Sequence, residues 1–168
     1  MFTKIIVGFL SFVLMIFPNW GNVRYAYLVR TNSPSIVAPK VIDAIKTKNI
    51  VALESMMCNN IKQNTSDLRG EIGKMLDAID GDIISIERRS GGGSYSESRS
   101  NGRKISQEGF DFTITTTKQT YALGSCWETA NNFNPAETGF RTLGLGIISP
   151  LESLVLIKAT NGIREWHD

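Results

Sequence analysis

Few side chains in this chain of 168 residues could carry proton transfer. Asp111 and Glu128 sit close to an aromatic cluster, and the only histidine, His167, is the second-last residue. A carboxylate projecting into an apolar pocket can act as a general acid or base, because burial tunes its pKa. Along Gly109–Thr117 and Thr120–Glu128, however, the two-residue alternation of a strand sends Asp111 and Glu128 to the side opposite Phe110, Phe112 and Trp127. His167 is expected to fray with the terminus. Cys58 and Cys126 are too few for a disulfide framework, lack metal-ligand spacing, and read as two separate, mostly buried free thiols. The glycines of Ser90–Gly102 precede no helix and lack the Lys-Ser/Thr of a phosphate-binding loop, so this stretch reads as a flexible loop. No catalytic residue, cofactor or metal is assigned.

Binding asks for less than catalysis. Tyr121, Ser125 and Trp127 share a strand face with one another and, across a hairpin, with Phe110 and Phe112. These five residues are the candidate ligand pocket, and the competing reading makes them plain core. In the expected register, with the turn at Lys118-Gln119, Phe110 opposes Trp127, Phe112 opposes Ser125, Ile114 opposes Leu123 and Thr116 opposes Tyr121. Thr113, Thr115, Ala122, Gly124 and Cys126 form the other face, flat enough to pack on another sheet or to build a homodimer. Arg141 and Glu128 can pair across neighbouring strands.

The elements that hold these residues follow from periodicity. Thr31–Pro39, bounded by prolines, reads as a linker, and helical spacing starts at Val41 and continues through Ile50, Leu53, Met56 and Met57 as two short helices or one broken one. Leu68, Ile72, Met75, Leu76 and Ile79 make the clearest amphipathic helix, with Thr65, Ser66 and Asp67 as capping candidates and Gly81 as its stop. The period then becomes alternating, with Ile84, Ile86 and Arg88 on one strand face and Ile83, Ser85 and Glu87 on the other. Phe140–Ile148 and Leu154–Ala159 read as two further strands, after a polar loop from Asn131 to Gly139. Helices first and an antiparallel meander after is an α+β fold.

Lys4 and the apolar run Ile5–Phe17, broken by Pro18-Asn19-Trp20-Gly21, have the length of a signal-peptide core and fall short of the roughly 20 residues of a spanning helix. The reading is therefore residues 1–33 as leader plus linker and residues 34–168 as one domain. The protein is expected in the cell envelope or outside the cell, and membrane-anchored if the leader is not cleaved. Without Lys4, Arg24 and Arg30 the net charge falls from +2 to −1, which removes the electrostatic case for nucleic acid.

The run from Asp67 through Ile79-Asp80-Gly81-Asp82-Ile83-Ile84-Ser85, the Gly-Gly-Gly-Ser loop, Gly124-Ser-Cys-Trp-Glu-Thr-Ala-Asn-Asn-Phe133 and Gly139-Phe140-Arg141 resembles the bacterial domain-of-unknown-function 5104 family over roughly Val41 to Trp166. The resemblance implies a nuclear transport factor two-like cone, with helices packed on a strongly curved antiparallel sheet, and export or lipid anchoring in Gram-positive bacteria. It implies no reaction. No cysteine follows the apolar run, so covalent lipid anchoring is not expected. The resulting expectation is a non-catalytic module that binds a small molecule or an envelope protein and meets the membrane only through its leader. The alternative is an isomerase- or lyase-like enzyme with a carboxylate in the cone pocket.

Overall fold

A computed structural model describes residues 22–89 and 95–148 and the backbone of residues 157–159. The apolar leader run, Ser149-Pro150, Asn161-Gly162, Trp166 and His167 lie outside the described residues. Residues 22–31 are helical (α1). After Asn32, helix α2 (Pro34–Lys46) starts with Pro34 in its first turn, where a missing N–H leaves no bond unmade. The stretch expected as a linker is thus largely helix. Pro39 is tolerated inside α2 because it sits on the exposed side, while Val37, Ala38, Val41, Ala44 and Ile45 turn inward.

Two short helices follow, α3 (Ile50–Ser55) and α4 (Asn59–Asn64). Helix α5 (Leu68–Asp77) is capped by Asp67, whose carboxylate accepts from the Gly70 amide at 3.0 Å. Its stripe Leu68, Ile72, Met75 and Leu76 is buried as the spacing predicts, and Ile79 is buried just past the last turn. The helix closes at Ala78, before Gly81, which instead serves the turn into the sheet. Among the described residues no helix is long and apolar enough to cross a membrane.

The sheet comprises β1 (Ile83–Arg88), β2 (Tyr95–Ser100), β3 (Arg103–Gly109), β4 (Phe112–Thr116), β5 (Thr120–Asn131), β6 (Gly139–Ile147) and β7 (Ile157–Ala159), all antiparallel. Strand β5 carries β4 along its first half and β3 along its second on one edge, with β6 on the other. Strands β1 and β2 lie outside β4 and β3, so β1–β2 and β3–β4 form one long bent hairpin kinked at Phe110-Asp111. The result is a strongly curled half-barrel with the helices at its N-terminal side, the cone-like α+β arrangement expected.

Three details differ from the expectations. Tyr95–Ser100 is a strand and not loop: Asn101 and Gly102, with φ of 49° and 76°, make a two-residue hairpin turn that needs left-handed backbone at both positions. In the β4–β5 hairpin Phe112 opposes Leu123 and Ile114 opposes Tyr121, two residues from the expected partners. The shift is even, so the side chains paired between β4 and β5 keep their faces. In β1 a register shift at Ile84 leaves that residue 66% exposed while Ile86 is buried, so the two do not share a face.

The concave face carries Phe110, Phe112, Ile114, Tyr121, Leu123, Leu143 and Leu145 against Val41, Leu53, Ile72, Met75 and Leu76, all at most 1% exposed. Each such side chain contributes about 1.5–3 kcal/mol on burial. Helices and sheet are also joined through main chain. The Phe140 amide donates to Met56 O at 2.9 Å and the Cys58 amide to Phe140 O at 3.0 Å, with Met57 bridged parallel to Phe140. Gly139 permits this approach: at φ 138°, a Cβ there would lie 2.6 Å from Met56 O.

Candidate functional site

Phe110, Phe112 and Trp127 are brought together with Phe140, while Tyr121 sits further along β5 beside Asp80 and Gln119, and the face that carries them is filled. Phe110 meets Phe112 edge-on at 5.6 Å between ring centroids, and Phe140 packs on Trp127 at 4.7 Å and on Phe110 at 5.8 Å. The Tyr121 hydroxyl accepts from the Asp80 amide at 2.7 Å and contacts the Gln119 amide group, and the Ser125 hydroxyl donates to the Phe110 carbonyl. Trp127 Nε1 donates to Asn32 O at 2.9 Å. Each polar group on this face already has a protein partner.

Of the five pocket candidates, Trp127 lines a cleft. The opening, of about 220 Å³, lies where the α1–α2 turn, α2, the end of α3 and the stretch before β6 converge. Asn32, Lys40, Ser55, Met56 and Thr138 line it together with Trp127. Thr138 lines the cleft, and its Oγ1 is buried with no hydrogen-bond partner. Lys40 is exposed, and no described carboxylate lies within ion-pair distance of it. The lining therefore offers one cation and an apolar surface from Trp127 and Met56, beside a threonine whose hydroxyl is unsatisfied. It contains no carboxylate, thiol or imidazole.

The two acids take separate courses. Asp111 stays on the face opposite the aromatic cluster, with Oδ1 over Gly124. Burial pushes its carboxyl above the ordinary aspartate range, against a main-chain hydrogen bond from Ser125 and the charge of Arg89. Glu128 was expected on that same open face and is instead wholly buried. Two register shifts, one leaving Arg141 unpaired on β6 and one leaving Thr129 unpaired on β5, interrupt the alternation, and every residue from Trp127 to Asn131 is buried. Glu128 accepts from Arg141 Nη1 at 2.6 Å, Asn131 Nδ2 at 2.9 Å and Gln107 Nε2 at 3.2 Å. The ion pair read from the sequence is present, within a four-residue network.

Cys58 and Cys126 are both free thiols, Cys58 buried and Cys126 half-buried, and burial pushes both thiols up. Among the described residues no group of three His, Cys, Asp or Glu side chains comes together to hold a metal ion.

A family model described as domain of unknown function (DUF5104) matches residues 40–150. The chain belongs to this family. No curated protein matches it. The DUF5104 segment begins at Lys40, the cleft's cation, and includes the whole Glu128 network, whereas Thr31, Asn32 and Val37 of the cleft lie before it. Asn32, Lys40 and Thr138 were not singled out from the sequence. They come from separated segments with no motif, and Asn32 falls in a stretch that reads as linker. The one local signal was Trp127, whose indole N–H needs a partner once buried.

Proposed function

We propose that this DUF5104 protein is an exported, envelope-associated, non-catalytic module that holds a small anionic molecule in the Trp127 cleft. The observation that carries the reading is Lys40, exposed and with no described carboxylate partner, on the wall of a cleft of about 220 Å³ that also carries Thr138 with its unsatisfied hydroxyl. Lys40 supplies charge to a carboxylate or phosphate, the unsatisfied Thr138 hydroxyl turns outward to hydrogen-bond it, and Met56 and Trp127 cover an apolar portion. The volume suits a metabolite the size of an amino acid or a short hydroxy acid, below the range of drug-sized pockets at about 300–1,000 Å³. Acid–base catalysis would need a carboxylate facing this space, and Glu128 is engaged by three donors elsewhere. The apolar run Ile5–Phe17 behind Lys4 supports export.

Screening a panel of small carboxylates and phosphates by NMR tests the reading. A ligand is expected to move the Trp127 indole N–H resonance, and Lys40→Ala and Thr138→Val should each weaken it about tenfold while the fold is retained. Ligands indifferent to both substitutions, or a panel that never perturbs Trp127, would refute the site.

A further inference from the structure

We propose that the end of the molecule where the β2–β3 turn meets the start of α1 rests on an anionic phospholipid surface. The inference extends the membrane-targeting reading of the leader, and relies on it.

Helix α1 is oriented by its two ends. At the start, Lys104 Nζ donates to Asn22 Oδ1 at 2.6 Å and lies 5.7 Å from the Tyr25 ring centroid. Just past its end, Asn32 O receives the Trp127 indole, and Trp127 opposes Glu108. Lys104 follows the Asn101-Gly102 turn closely and Glu108 is at the far end of β3, so α1 runs along β3 from the turn inward. Asn22, where the described chain begins, is therefore held beside the turn. Five residue steps separate Phe17, the last of the apolar run, from Asn22, at most about 18 Å of extended chain. A bilayer that receives the apolar run is held within that distance of the turn.

The surface presented there has matching chemistry. Arg103 stacks its guanidinium 4.0 Å from the ring centroid of Phe133, which is 66% exposed. Asn132 ties that loop to the turn, its side chain accepting from the Lys104 amide and donating to Gly102 O. On α1, Val23 and Tyr27 are exposed at helical spacing with Arg24 beside them. Arginine and lysine reach lipid phosphates while aromatic rings settle at headgroup depth. At the other end of the bent β3–β4 strand Asp80 is neutralised by Lys118, whereas Arg24, Arg103 and Lys104 have no described carboxylate within ion-pair distance, so unpaired positive charge gathers at the turn end and faces an anionic surface. A soluble polyanion would satisfy the cations and leave Val23, Tyr27 and Phe133 in water.

The test uses the full chain with Cys58→Ala and Cys126→Ala, carrying an environment-sensitive fluorophore at Ser100→Cys beside the turn or at Ile84→Cys far from it. It is mixed with phosphatidylcholine vesicles with and without phosphatidylglycerol. The Ser100 label is expected to shift to the blue with phosphatidylglycerol, and the Ile84 label to stay in water. Phe133→Ser should reduce the shift, and Arg24→Glu with Arg103→Glu should weaken it by at least about twentyfold, at roughly fivefold per cation. Protein that floats with vesicles while the Ser100 label remains in water overturns the docking and leaves the leader reading standing. Failure to float with either vesicle overturns both. An equal response to soluble polyphosphate without vesicles overturns the bilayer as partner.

Discussion

Arg141 Nη1 lies 2.6 Å from Glu128 Oε2, joining a guanidinium whose side chain is 39% exposed to a carboxylate that is 0% exposed. The pair bridges water and interior at the two strand irregularities. Arg141→Met would leave Glu128 buried with Asn131 and Gln107 as its remaining donors, and should destabilise by about 3 kcal/mol, the low end for breaking a buried pair because Arg141 reaches solvent. Glu128→Gln should lose less, about 1–3 kcal/mol. Urea unfolding of both single variants and the double variant measures the coupling, and additive losses would mean that the contact contributes nothing.

The concave face is core, so truncating it should be expensive. Phe112→Ala, Met75→Ala and Leu76→Ala should each cost about 2–5 kcal/mol, whereas Thr115→Ala on the opposite face should stay within about 1 kcal/mol. Equal losses at Phe112 and Thr115 in thermal or chemical unfolding would contradict the assigned faces.

Asp111 makes a pH-dependent prediction. Burial raises its folded pKa, so the folded protein holds that proton more tightly than the unfolded chain. Ionisation therefore removes stability as pH rises from the unfolded value of about 3.9 through the raised folded value, and the loss is complete above it. Asp111→Asn should be at least as stable as the parent at neutral pH, and any advantage should vanish on acidification. A variant whose relative stability improves in acid would show that the pull of Arg89 outweighs burial.

Gly139→Ala tests the main-chain clasp between Met56–Cys58 and Phe140. The new methyl meets backbone, which cannot swing away, and the φ is one that alanine rarely adopts. A loss above about 1 kcal/mol is expected, with weakened protection of the Phe140 and Cys58 amides in hydrogen exchange. Unchanged stability would mean that the clasp opens freely.

The stripe of α5 was legible in the sequence because a single helix face carries it, and the faces of the β4–β5 hairpin because a two-residue error in register preserves them. The register itself was not legible: the Thr116 hydroxyl accepts from the Lys118 and Gln119 amides and donates to the Asp80 carbonyl, which draws the turn onto Thr117-Lys118. Strand β2 was hidden by composition. Tyr95–Ser100 has the serine-rich polarity of a loop, and it forms a strand because the Asn101-Gly102 turn lays it on β3. The cleft was beyond local reading, since Asn32, Lys40, Met56 and Thr138 meet only once helices and sheet are docked.

The clasp at Phe140 also links the cleft to the sheet mechanically. Met56 and Thr138 line the cleft, and the Met56 carbonyl and the backbone of Phe140, two residues past Thr138, take part in the hydrogen bonds that fasten the helical layer to β6. Anything wedged between Met56 and Thr138 pulls on a seam between two layers of the molecule, so occupancy would register as a change in how often that seam unzips, and amides far from the occupant would sense it without touching it.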